Sequence, residues 1–147
     1  MRIVQYYPHI KKSDLKVLNI MEAFTGTIIE ESLKDESVLN TVKIVSTKIS
    51  PVTDKHKTPW LKQWTLHKVD IESDHAEKIA EIISKSIDKK YWYADFKNDN
   101  THYIIFSDKI FKINRTDRKE YQKATDYGLA LGIPKYQLDF LKDWAKS

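Results

Sequence analysis

The chain has 147 residues, of which 41% are hydrophobic, 12% aromatic and 31% charged, enough to build one well-filled core without covalent staples. It contains no cysteine, which excludes disulfides, thiolate nucleophiles and cysteine-ligated zinc or iron–sulfur sites. The 25 basic residues exceed the 21 acidic ones by a net charge of +4, which permits contact with phosphate or nucleic acid without requiring it. The opening Met1-Arg2-Ile3-Val4-Gln5-Tyr6-Tyr7 is too polar for a secretory signal, and no run approaches the ~18 apolar residues of a membrane span. The expected setting is therefore a cytoplasmic one.

Along the chain, a strand-like run at 2–7 and a helical spacing of Leu15, Leu18 and Met21 suggest an N-terminal extension over 1–25, a strand followed by a helix. A single domain is expected over 26–147. The β-branched segment 25–32 and the alternating segment 41–49 read as strands, with a turn or short helix at 35–40 between them. The segment 60–71 reads as a third strand. Trp64 and Leu66 alternate there against Thr65, His67, Val69 and Ile71.

Asp74 and Glu77 suggest a capping box for a helix in which Ala76, Ile79, Ala80, Ile83 and Ile87 repeat at helical spacing. Three short strands at 91–97, 102–106 and 109–113, joined by turns at 98–100 and 107–108, form an expected meander. Asp117 opens a second helix, Gly132 offers it a left-handed cap and Pro134 stops it. Leu138, Leu141 and Trp144 suggest a final helix. The order of elements predicts an α+β domain. Its mainly antiparallel sheet of about five or six strands is covered by two or three helices, with 74–88 and 117–131 on one face.

Four strings carry a resemblance to a family of small microbial proteins that has no assigned activity. They are Gly26-Thr27-Ile28-Ile29-Glu30-Glu31-Ser32-Leu33, Lys57-Thr58-Pro59-Trp60-Leu61-Lys62-Gln63-Trp64-Thr65-Leu66-His67, Trp92-Tyr93-Ala94-Asp95-Phe96-Lys97-Asn98, and Leu131-Gly132-Ile133-Pro134 with Tyr136-Gln137. The chain resembles that family over roughly four-fifths of its length, which implies one intact domain from residue 26 onward. The resemblance implies no catalytic residue.

The stretches 52–71 and 91–103 concentrate tryptophan, tyrosine, histidine and lysine. Aromatic faces stack on bases, at about 1–3 kcal/mol each, and lysines neutralise phosphate. His56, Lys57, Trp60, Lys62, Tyr93, Asp95, Lys97 and His102 are the candidate binding residues for a nucleotide-like ligand or single-stranded nucleic acid. A second reading is a small metal-independent enzyme in which His56 or His102 acts as acid or base beside Asp95. A third is a protein-interaction domain anchored on Trp60. No two histidines show a short ligand spacing, so no metal is expected. No glycine-rich phosphate loop or nucleophile elbow is present, and no cofactor is expected. The basic run 109–119 either meets an anion at the helix start or pairs locally with Asp117 and Glu120. Because Trp60 follows Pro59, its indole is expected at a strand edge, outside the core.

Overall fold

The computed structural model describes residues 23–140. Six strands form one sheet: β1 (Phe24–Ile29), β2 (Lys43–Pro51), β3 (Gln63–Ile71), β4 (Ala94–Lys97), β5 (Thr101–Phe106) and β6 (Lys109–Asn114), in the spatial order β2-β3-β1-β4-β5-β6. Every pairing is antiparallel. With two helices, α1 (Ala76–Ser86) and α2 (Arg118–Ala130), this is an α+β fold.

The two helices lie on opposite faces of the sheet, which corrects the expectation that both cover one face. The reason is visible in β5, where His102, Tyr103, Ile104, Ile105 and Phe106 are all buried. Neighbours on a strand point to opposite faces, so a continuous buried run needs cover on both. Tyr103 and Ile105 join a core with Ile79, Ala80 and Ile83 of α1, together with Phe24, Ile28, Val69, Ile71 and Phe96. Ile104 and Phe106 join a second core with Tyr121 and Ala124 of α2, Phe111 and Ile113 of β6, and Ile133, Leu138 and Phe140.

The helix ends follow local chemistry. Helix α1 is entered through a 3-10 turn at Ser73–His75, and the His75 side chain makes no capping hydrogen bond. At α2 the Asp117 carboxylate accepts from the backbone N–H groups of Lys119 and Glu120, each at 3.1 Å, as an N-cap should. After α2 the chain leaves through Gly132 at φ 90°, a left-handed conformation that glycine adopts without strain. A 3-10 turn at Lys135–Leu138 follows, and the expected last helix carrying Leu138, Leu141 and Trp144 lies mostly outside the described residues. So does the expected extension up to residue 22.

Three strands are shorter than expected. β1 ends at Ile29, where a 3-10 turn at Glu30–Ser32 begins. β3 starts at Gln63 because Thr58 to Leu61 makes a turn, closed by Leu61 N–H to the Thr58 carbonyl at 3.0 Å. β4 starts at Ala94 because Tyr91 takes a positive φ of 71°.

On its own face, α2 packs against β6 and the 135–138 turn. The β1–β2–β3 half of that face carries Thr25, Thr27, Ile29, Lys43, Ser46, Lys48, Trp64, Leu66, Lys68 and Asp70, judged by strand alternation and register. Thr25, Lys43, Ser46, Lys48 and Lys68 are exposed. The seam between the covered and open halves holds the site.

Candidate ligand-binding cleft

A cleft of about 340 Å³ opens at this seam. Its floor is the sheet: Leu66 from β3, Thr27 and Ile29 from β1, and Asp95 from β4. Thr27 sits directly opposite Lys68 on one side and Asp95 on the other, and Ile29 opposite Leu66. The walls are aromatic, with Trp64, Tyr91, Trp92 and Tyr93 on the sheet side and Tyr136 with Gln137 from the turn after α2.

Several bonds hold these rings in place. Trp64 donates its indole N–H to Thr58 Oγ1 at 3.0 Å, and its ring meets the edge of the His56 ring at a centroid distance of 4.3 Å. His56 Nδ1 accepts from the Thr53 backbone N–H at 2.9 Å, which closes the 53–57 loop behind Trp64. The Tyr93 hydroxyl donates to the Gln137 carbonyl and the Tyr136 hydroxyl to the Lys55 carbonyl. Those two bonds tie the C-terminal turn to the sheet and to the 53–57 loop, so both tyrosine protons are already committed.

Asp95 is the one acid in the cleft lining, with its side chain 29% exposed. Its Oδ2 meets His102 Nε2 at 2.7 Å, and His102 Nδ1 meets the Tyr121 hydroxyl at 3.1 Å. The Arg115 guanidinium lies near that hydroxyl and donates to the Asn98 carbonyl at 2.6 Å. An ionised carboxylate can only accept. His102 Nε2 therefore carries the proton pointed at Asp95, and Nδ1 of the neutral imidazole accepts from the Tyr121 O–H. Burial pushes the Tyr121 hydroxyl above its ordinary pKa, opposed in part by the Arg115 charge, so the tyrosine keeps the proton that this direction requires.

The eight residues singled out in the sequence fall into distinct places. Tyr93 and Asp95 line the cleft. Trp60 is 59% exposed, as its proline context led us to expect, and packs on the rim residue Tyr91 at a centroid distance of 5.6 Å. His56 backs Trp64 without lining the cleft. Lys97 projects from β4 on the cleft face, opposite Thr25 and beside Asp95. Lys57, at φ 61°, and Lys62 are exposed and do not line it. His102 is 1% exposed, so the acid–base role expected of it toward a ligand gives way to a positioning role behind Asp95. Among the described residues, no three His, Asp or Glu side chains gather as a metal site would need.

Sequence reasoning missed Tyr91, Tyr136, Gln137 and the strand residues Thr27, Ile29 and Leu66. Parity on β1 and β3 could have placed the last three beside Trp64, whereas nothing local to 135–138 announces that it folds back over β4. The basic run 109–119, with Arg115 in it, was expected to meet an anion at the helix start or to pair locally with Asp117 and Glu120. Instead Asp117 serves the α2 backbone, Glu120 meets Lys123 at 2.9 Å, and Arg115 turns inward.

The chain matches no protein-family model, no curated protein and no solved structure. Among the described residues no helix is long and apolar enough to cross a membrane.

Proposed function

We propose that this domain binds single-stranded nucleic acid, seating one base in the aromatic cleft while the adjoining sheet face carries the phosphates. The observation that supports this reading is the division of charge across the seam. A hydrogen-bond acceptor, Asp95, sits inside an aromatic slot, and Lys43, Lys48, Lys68 and Lys97 stud the sheet face beside it. Lys48 lies opposite Leu66, Lys68 opposite Thr27, and Lys97 on the far side of Thr25. A purely cationic ligand would suit the aromatic slot and its carboxylate, but it would approach past four ammonium groups offset on that face by one carboxylate, Asp70, opposite Lys43 and Thr25. A nucleotide satisfies both halves, because its base is planar and carries N–H donors while its phosphate is anionic.

The domain acts here as a binder, with stacking supplying sequence-tolerant affinity and lysines a salt-dependent share. Titration of a short single-stranded oligonucleotide containing all four bases, followed through tryptophan fluorescence at two salt concentrations, tests it. Trp64 lies in the cleft wall, so bound base should quench emission. The logarithm of the affinity should fall with the logarithm of salt at a slope of about −0.7 per phosphate neutralised, or roughly −2 if three lysines are engaged. No quenching at low salt would remove this reading.

A further inference from the structure

We infer that the cleft selects guanine among the bases, with Asp95 as the residue that reads it. This rests on the nucleic-acid reading of the same cleft and adds the identity of the base. Three features of the slot lead there.

The first is the supply of hydrogen-bonding groups. The Tyr93 and Tyr136 protons are spent on backbone carbonyls, so the strongest polar group facing the ligand is the Asp95 carboxylate, which when ionised only accepts. The second is its orientation. His102 Nε2–H holds Oδ2 at 2.7 Å, and His102 is itself fixed by Tyr121 at 3.1 Å. Oδ1 has no protein partner among the described residues. A carboxylate clamped at one oxygen by a buried imidazole has a set plane, and it presents Oδ1 and the remaining lone pair of Oδ2 side by side. The third is the stacking wall of Trp64, Tyr91 and Tyr93 beside that carboxylate, which keeps a base edge-on to it.

The edges of the bases then decide. Guanine presents two adjacent donors, N1–H and N2–H, which match two adjacent carboxylate oxygens. Adenine offers N6–H beside the N1 acceptor, and cytosine offers N4–H beside the N3 acceptor. Each would set one lone pair against the carboxylate. Thymine's single N3–H is flanked by two carbonyl oxygens. Discrimination therefore comes from repulsion of the wrong bases as well as attraction of the right one.

The test uses short oligothymidylates carrying a single central guanine, hypoxanthine, adenine, cytosine or thymine. Their affinities for the full chain are measured by tryptophan fluorescence at fixed salt. Guanine should bind about tenfold or more tighter than adenine, cytosine or thymine. Hypoxanthine, which keeps N1–H and lacks the 2-amino group, should fall between. Asp95→Asn replaces one acceptor oxygen by a donor amide while keeping an acceptor for His102, and it should bring guanine to near parity with adenine without changing the salt slope. Equal binding of all five oligomers with a normal salt dependence, or a preference for another base, overturns the guanine assignment and leaves the nucleic-acid reading standing. Absence of binding by any of them overturns both. The base series on the wild-type chain decides the matter even if the variant does not fold.

Discussion

Replacing Trp92 and Trp60 in turn by alanine separates the residues that hold the domain together from those that hold a ligand. Trp92 is 4% exposed, belongs to the α1-side core and contacts the Trp64 ring at 5.4 Å. Removing a buried tryptophan leaves a cavity its neighbours cannot fill, and costs about 3–5 kcal/mol. At about 3 °C per kcal/mol for a domain of this size, Trp92→Ala should lower the melting temperature by roughly 10–15 °C. Trp60 is 59% exposed, and its ring packs on Tyr91. An aromatic pair contributes about 0.5–1.5 kcal/mol, so Trp60→Ala should lower the melting temperature by no more than about 5 °C. Its effect should appear in binding instead, since it removes the support of a rim residue. Thermal unfolding followed by circular dichroism, with titration of each folded variant by a single-stranded oligonucleotide containing all four bases, measures both quantities. Equal and large losses of melting temperature would return Trp60 to the core and refute the division.

Gly26→Ala should be severely destabilising, because a Cβ there would lie 1.9 Å from the Asp95 carbonyl oxygen and 2.6 Å from Phe96 Cα. Those are backbone atoms with no rotamer to escape into, so β1 and β4 must separate, at 1–3 kcal/mol or more. A denaturant midpoint equal to that of the wild type would show the strands to be less closely apposed. Tyr121→Phe removes the donor to buried His102 Nδ1 and should cost about 1–3 kcal/mol, read as a lowered urea midpoint. The same variant has a pH signature. Burial raises the folded Tyr121 pKa above its ordinary value of 10.0, so the folded state holds that proton more tightly than the unfolded one. The wild type should therefore lose stability as pH climbs above about 10, and Tyr121→Phe should flatten that alkaline decline. An unchanged alkaline limb would show that the Tyr121 proton is not held by burial.

Element types were legible wherever one periodicity dominated. Ala76, Ile79, Ala80 and Ile83 announce α1, and the turns at 98–100 and 107–108 announce the β4–β5–β6 meander. Boundaries failed where a single residue's backbone changed the path, as Tyr91 does at φ 71°. The placement of α2 was also open to reading, since five consecutive buried positions in β5 demand cover on both faces. Of the site, Tyr93 and Asp95 were found because aromatic and charged residues interrupt an apolar strand. Tyr136 and Gln137 were not, because they reach the cleft only through bonds to the carbonyl of Lys55 and from Tyr93, residues far away in sequence. Long-range backbone contacts of that kind leave no local trace.

The cleft lies where it does because the two faces of the sheet are written differently. On the α1 side, β1 and β3 present Phe24, Ile28, Val69 and Ile71, all buried. On the other side the alternate positions of β1, β2 and β3 are mostly Thr, Ser and Lys, with Ile29, Trp64 and Leu66 apolar only beside the cleft, which gives a helix little apolar surface to cover. Helix α2 is therefore confined to the β5–β6 half, where Ile104, Phe106, Phe111 and Ile113 await it. His102 is the last polar group under that cover and Asp95 the first beyond it. The buried imidazole needs partners at both nitrogens, and it finds Tyr121 on the helix side and Asp95 on the open side. The satisfaction of a buried group thus also sets the direction of an exposed carboxylate, and the stability of α2 packing and the geometry of the cleft floor depend on the same side chain.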